Sequence, residues 1–165
     1  MKTYYKGLDE NLCGRNGFQY EAGKAFTADT DDNWHWLHFT DKVVVAIGYG
    51  PRVVEVKPLT RATKFGYNSY NARTIFIVRE LSREEILSRL FAEGCCIGSL
   101  LQYKPTYAEL SGMWRERIHL YDDCFCLCYK CDWLTAEEKK NLLPSCWHRR
   151  IDEQAFHERM REVDP

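Results

Sequence analysis

The chain has 165 residues, 45% hydrophobic and 14% aromatic, with 23 Lys and Arg against 24 Asp and Glu for a net charge of −1. A chain of this length buries roughly two thirds of its unfolded surface as one domain, or one domain with a small appendage, so it folds without staples. That composition excludes disorder, and the balanced charge excludes a bulk electrostatic pull toward nucleic acid or membrane.

No apolar run is long enough to span a bilayer. The start, Met1-Lys-Thr-Tyr-Tyr-Lys6, lacks the apolar centre of a signal peptide, which predicts a cytoplasmic protein with no membrane partner. In that reducing compartment the eight Cys are expected as thiols or metal ligands rather than as a disulfide framework.

In chain order, Thr3 to Lys6 reads as a strand closed by Gly7, Cys13 to Gly17 as a turn, and Phe18 to Glu21 as a short alternating strand. Phe26 to Asn33 is polar and acidic and reads as a surface loop. Its Asp29, Asp31 and Asp32 lack the Gly and distal Glu of a calcium-binding EF-hand. Trp34 to Phe39 alternates as a strand, with His35, Leu37 and Phe39 on one face and Trp34, Trp36 and His38 on the other. Thr40 or Asp41 then caps a short helix containing Val44, Ala46 and Ile47, a corner whose free N–H groups would attract an anion. Pro51 ends that helix. Arg52 to Lys57 is a strand, Thr60 to Ala72 a loop, and Arg73 to Arg79 a strand whose apolar run predicts burial on both faces.

The second half reads as helices. Ser82 with Glu85 forms a capping box, and Gly94 stops the helix it opens; Thr106 with Glu109 and Thr135 with Glu138 open two more. A polar final helix is expected over residues 151–163. Strands before Leu81 and helices after it predict an α+β fold: a mixed or antiparallel sheet in the N-terminal half with a helical, Cys-rich C-terminal layer. The expected domains are 1–94, rich in sheet, and 95–165, a helical extension packed on it.

The segment Cys124-Phe-Cys-Leu-Cys-Tyr-Lys-Cys131 contains half of a common zinc site in Cys128 and Cys131, which Cys146 and His148 would complete. Placed on a strand, Cys124, Cys126 and Cys128 would share one face. The alternative is a set of buried thiols behaving as small hydrophobes. The sequence holds no P-loop, dinucleotide-binding Gly motif, His-Glu-x-x-His or Gly-x-Ser-x-Gly motif, which removes the common nucleotide-hydrolase, Rossmann and hydrolase readings.

Tyr5-Lys-Gly7, Cys13-Gly-Arg-Asn-Gly-Phe-Gln-Tyr-Glu-Ala-Gly-Lys24, His38-Phe, Arg52-Val-Val-Glu-Val and Ile75-Phe-Ile-Val-Arg-Glu-Leu81 resemble a domain family of uncharacterised proteins from bacteria and their phages. The resemblance covers about residues 3 to 88. The same half is similar, more distantly, to the ADP-ribosyltransferase fold. Tyr5-Lys-Gly7, His38-Phe-Thr-Asp41 with Ala46 and Tyr49-Gly50, and Glu80 fall in the order of that fold's aromatic-basic-Gly strand, aromatic-x-Thr element and late catalytic Glu. This resemblance implies an NAD site in which Lys6, Gly7, Thr40 and Tyr49 bind the cofactor and His38 lines the nicotinamide pocket. Glu80 would stabilise the positive charge that develops as the glycosidic bond breaks. The implied activity is transfer of ADP-ribose to a host macromolecule.

A second expectation is a non-enzymatic binding protein, such as a phage anti-defence inhibitor of a host protein. Tyr67, Tyr70, Arg73, Trp114, Arg115, Trp147 and Arg149 are the residue types that dominate interfaces. A third is a single-stranded nucleic-acid partner at the loop Arg61 to Arg73, where Arg61, Lys64 and Arg73 interleave with Phe65, Tyr67 and Tyr70.

Overall fold

A computed structural model describes residues 2–15, 17–113, 117–118 and 121–143, so the helix expected over 151–163 lies outside the described residues. The fold is α+β, with two compact units, Met1–Cys95 and Cys96–Pro165. The first holds a seven-stranded sheet of β1 (Tyr4–Leu8), β2 (Ala25–Thr27), β3 (Leu37–Thr40), β4 (Arg52–Pro58), β5 (Thr63–Gly66), β6 (Ser69–Ala72) and β7 (Thr74–Glu80). All the pairings are antiparallel, in the spatial order β2-β7-β4-β1-β3-β6-β5.

Alternation along the strands produces two covered faces. On one face Leu8, Leu37, Phe39, Val54, Val56, Ile75 and Ile77 pack with Tyr20 in a single apolar cluster. The opposite face carries Tyr5, Gly7 and Val53, and there α1 (Val43–Ala46) and α2 (Arg83–Ala92) cover the sheet. Ile86, Leu87 and Leu90 are the buried stripe of α2. Burying each contributes roughly 1.5–3 kcal/mol, more than helix propensity supplies over ten residues.

A four-residue helix such as α1 is not stable in isolation, and two features hold it. Gly7 lets its backbone approach β1 so closely that a Cβ on Gly7 would lie 1.8 Å from the Ala46 carbonyl oxygen. The second is Glu93, at the C-terminal end of α2, whose two carboxylate oxygens accept from Val43 N–H and Val44 N–H at 2.9 Å each. The sequence points to Thr40 or Asp41 as this cap, but the residue at the cap position is Lys42, which makes no side-chain cap. The Thr40 hydroxyl instead donates to the Asn68 carbonyl at 2.6 Å and accepts from Lys42 N–H at 3.1 Å. With Val43 and Val44 N–H both occupied by Glu93, the corner has lost the donors that would have drawn an anion.

Other differences follow from local chemistry. Asp32 accepts from Trp34 N–H and winds Asn33–His35 into a 3₁₀ turn, so strand alternation starts only at Leu37, with Leu37 and Phe39 in the core and His38 opposite. Phe18 to Glu21 makes only an isolated bridge, Cys13 to Gln19. Part of the acidic loop forms β2, and the polar stretch 60–72 forms the β5–β6 hairpin, with Asn68 in the left-handed region at its turn. Polar residues suit this hairpin because β5 is exposed along its whole length. In β7, Ile75 and Ile77 are buried, but Val78 is 38% exposed, so that strand is not covered on both faces.

In the second unit α3 (Ile97–Leu100), α4 (Tyr107–Met113), α5 (Tyr121–Lys130) and α6 (Ala136–Leu142) follow one another. The Thr106–Glu109 and Thr135–Glu138 pairs open α4 and α6 as the sequence indicates. The cysteine segment is helical, not a strand. Cys124, Cys128 and Cys131 recur at i, i+4 and i+7, the spacing that places all three in an apolar interior.

Gly7→Ala is expected to lower unfolding free energy by at least about 3 kcal/mol, because the methyl meets backbone that cannot rotate away. Glu93→Gln, which keeps one acceptor oxygen of two, is expected to cost about 1 kcal/mol. Urea denaturation of the two variants beside the wild type measures both. Equal losses would mean that the close approach does not hold α1.

Candidate functional site

The site begins where the sheet opens. β1 pairs with β4 along its full length but with β3 only at Tyr5 and Thr40. Beyond that point Lys6 and Gly7 part from Phe39 and His38, and a cleft of about 830 Å³ lies between and around the strand ends. Small-molecule sites run about 300–1,000 Å³. Lys6, Gly7, His38, Thr40 and Tyr49 all line it. Their sequence separations of up to 43 positions are closed by the return of the chain from β3 over β1 through α1.

Parting the strands leaves the His38 carbonyl without a β1 amide, and Lys6 Nζ donates to it at 2.7 Å. The same amine lies 5.1 Å from the centroid of the Tyr20 ring. Among the described residues no carboxylate pairs with it. The crowding of protein around Lys6 disfavours its charged form and lowers its pKa to about 8.

Aromatic groups form the walls. Phe65 meets Trp34 at 4.9 Å and the His38 imidazole at 4.7 Å, both edge to face. His38 Nε2 lies 3.1 Å from the Trp34 carbonyl, which fixes the ring in that cluster. Arg15 places its guanidinium 4.9 Å from the centroid of the Tyr49 ring, a cation–π pair that carries a permanent positive charge into the lining. His35 also lines the cleft, with its Nδ1 held 2.9 Å from Asp32 Oδ2. Asp29 is the only carboxylate among the described lining residues. Thr40 touches the cleft, but its hydroxyl is spent on Asn68 and Lys42.

Glu80 is the residue the fold does not bring in. It sits at the end of β7, opposite Val54, and is not in the cleft lining. Arg52 Nε donates to it at 2.7 Å, Arg52 Nη2 binds its second oxygen, and Arg52 Nη1 donates to the Glu10 carbonyl at 3.0 Å. A carboxylate held bidentately by a guanidinium is oriented toward its partner rather than toward a ligand.

For the zinc set, Cys128 and Cys131 are buried, while Cys146 and His148 lie outside the described residues. Burial raises the Cys128 thiol and pushes Cys131 up to about 11, which opposes the thiolate that metal binding requires. Among the described residues no group of three His, Cys, Asp or Glu is arranged to hold a metal ion, and no helix is long and apolar enough to cross a membrane.

Sequence reasoning passed over Arg15, His35 with Asp32, and Trp34 as residues of this cleft, and named Phe65 only for a nucleic-acid contact. The Asp32-x-x-His35 spacing was a readable signal of a capped turn that aims the imidazole. The place of Arg15, in the turn after β1, and of Phe65, on β5, depends on how distant segments meet at the strand opening, which no local pattern encodes. No protein-family model, curated protein or solved structure matches this chain.

The displaced pKa of Lys6 links to stability. Its folded value, about 8, lies below its ordinary value of 10.5, so between those limits the unfolded chain holds a proton that the folded chain has released. Stability from this group therefore rises with pH across that window and is lost below it. Denaturation of wild type and Lys6→Met from pH 7 to pH 10.5 is expected to show the difference moving in favour of the wild type as pH rises. A constant difference would place the Lys6 amine in solvent.

Proposed function

We propose that the opening between β1 and β3 is a binding site for a nucleotide-class ligand, with NAD as the compound to test first. The observation that carries the reading is the meeting of Lys6, Gly7, His38 and Tyr49 in one hollow of about 830 Å³. Trp34, Phe65 and His38 offer ring faces and edges to a base or a nicotinamide, and stacking of this kind contributes about 1–3 kcal/mol per base. Arg15 supplies charge for a diphosphate, and Lys6 supplies a donor at the back of the hollow.

Binding is better supported than ADP-ribosyl transfer. Transfer needs an acid beside the breaking glycosidic bond, and Glu80 is held by Arg52 outside the lining. Asp29, which does line the cleft, is the acid through which transfer would have to run.

A second reading, a protein-binding surface, is favoured by Trp34 at 68% and Tyr67 at 89% exposure. Large aromatics this exposed beside Phe65 are the type that anchors interfaces. A host protein would be such a partner. A single-stranded nucleic acid would use the same hairpin, whose Arg61 and Lys64 are exposed.

Titration of NAD followed by tryptophan fluorescence is expected to saturate. Trp34→Ala and Phe65→Ala are each expected to weaken binding about tenfold, the loss of roughly one stacking contact, while Glu80→Gln leaves it unchanged. No saturable signal with NAD, ADP-ribose or AMP would reject the nucleotide reading in favour of the surface. NAD turnover abolished by Glu80→Gln but not by Asp29→Asn would restore Glu80 as the catalytic acid.

A further inference from the structure

We propose that Lys6 is a nucleophilic amine that condenses with an aldehyde or ketone bound in the cleft, forming a Schiff base through Nζ. The inference is independent of whether a nucleotide is the ligand. A Schiff-base lysine needs an unpaired, partly desolvated amine, a chamber that admits the carbonyl compound, and groups that pass protons nearby.

Lys6 meets the first requirement by geometry. Its Nζ has a backbone carbonyl, His38 O, as hydrogen-bond partner at 2.7 Å, and the Tyr20 ring beside it. A carbonyl oxygen accepts from a neutral amine as well as from an ammonium, so deprotonation leaves the hydrogen bond intact and frees the lone pair. A carboxylate partner would instead have locked the charge, and none pairs with Lys6 among the described residues. The lowered pKa of about 8 agrees, since roughly a tenth of the amine is then neutral at pH 7, against a trace at the ordinary value. The second requirement is met by the cleft, which is lined by Lys6 itself. For the third, the His35 imidazole lines the same cleft with its Nδ1 on Asp32 Oδ2, which leaves Nε2 for proton transfer, and the Tyr49 phenol is a further carrier.

The step balances without a redox partner. The Nζ lone pair attacks the carbonyl carbon, the C–N bond forms as the C=O π pair moves to oxygen, and a proton passes from nitrogen to that oxygen to give a carbinolamine. A second proton delivered to the hydroxyl lets it depart as water while the nitrogen lone pair closes C=N, and loss of the remaining N–H proton leaves the imine. The products are imine and one water.

Pyridoxal 5′-phosphate is a suitable probe, because its aldehyde, planar ring and phosphate match the amine, the aromatic walls and Arg15. The protein is incubated with the probe, reduced with borohydride, which delivers hydride to C=N, and mapped by peptide mass spectrometry. The expected result is labelling at Lys6 at least tenfold above any exposed Lys, such as Lys24, Lys57 or Lys64, with yield rising from pH 6 to pH 8. Lys6→Arg, which keeps a donor for His38 O, is expected to remove that label, with a cooperative thermal transition showing that the variant is folded. Labelling of the wild type spread among exposed Lys in proportion to exposure, or absent from Lys6, overturns the proposal whatever the variant does.

Discussion

The sheet could have closed between β1 and β3 and does not, and the rest of the first unit is arranged around that opening. Gly7 has its Cβ position filled by the Ala46 carbonyl, and Gly50 has its own filled by the Leu8 carbonyl. Two backbone approaches this close clamp α1 and the turn after it onto β1 on one face. β3 is tied to β1 only at Tyr5 and Thr40 and then follows β6 over four consecutive pairs, Leu37 to Thr40. The strands diverge because each is held more firmly by its outer neighbour than by the other. Leaving a buried carbonyl unpaired costs about 1–3 kcal/mol, and the Lys6 amine fills the gap that a ladder amide would have filled. A long side chain is needed for this, since Lys6 must reach from the β1 backbone across a space that no longer has strand spacing.

That solution sets the electrostatics of the cleft. Several cations of the first unit are paired with carboxylates: Arg52 with Glu80, Arg79 with Glu85 and Glu55, Arg73 with Asp31, Lys2 with Asp41. Exposed pairs of this kind contribute about 0–1 kcal/mol each, so they matter less for stability than for removing charge from the surface field. The side chain of Glu85 shows the strength of local pairing, since its hydrogen bonds from Arg79 and from Ser82 N–H bring its pKa down to about 2. Lys6 and Arg15, the two cations of the described cleft lining, are set otherwise, one against a carbonyl and a ring and the other against a ring. A net charge of −1 over the chain therefore conceals a cleft whose described lining holds two cations and one carboxylate.

How much of this was legible in the sequence divides by the range of the interaction. Capping boxes at Ser82 and Thr135 were readable because the partners are three residues apart and the chemistry is closed within one turn. β4 was readable from Val53, Val54 and Val56 for a similar reason. The cap on α1 was not, because Glu93 lies 50 residues from Val43 and nothing near either residue announces the pairing. The cysteine segment fits two patterns, because Cys124, Cys126 and Cys128 satisfy a period of two while Cys124, Cys128 and Cys131 satisfy a helical one. Burial of the latter three decides between the patterns. The ADP-ribosyltransferase resemblance pointed to Lys6, Gly7, His38 and Tyr49, and all four line the cleft. The same resemblance pointed to Glu80, which lies outside that lining, because a Glu that ends a strand beside an Arg on the neighbouring strand has a near partner in that Arg.

The opening also explains why one residue can carry two kinds of chemistry. A lysine whose hydrogen-bond acceptor is neutral is not committed to either protonation state. An approaching anion would favour the ammonium, and the proposed carbonyl ligand would meet the lone pair of the neutral amine. The setting of Lys6 is in that sense a property of the strand divergence, and the close approaches at Gly7 and Gly50 hold β1 against α1 beside it.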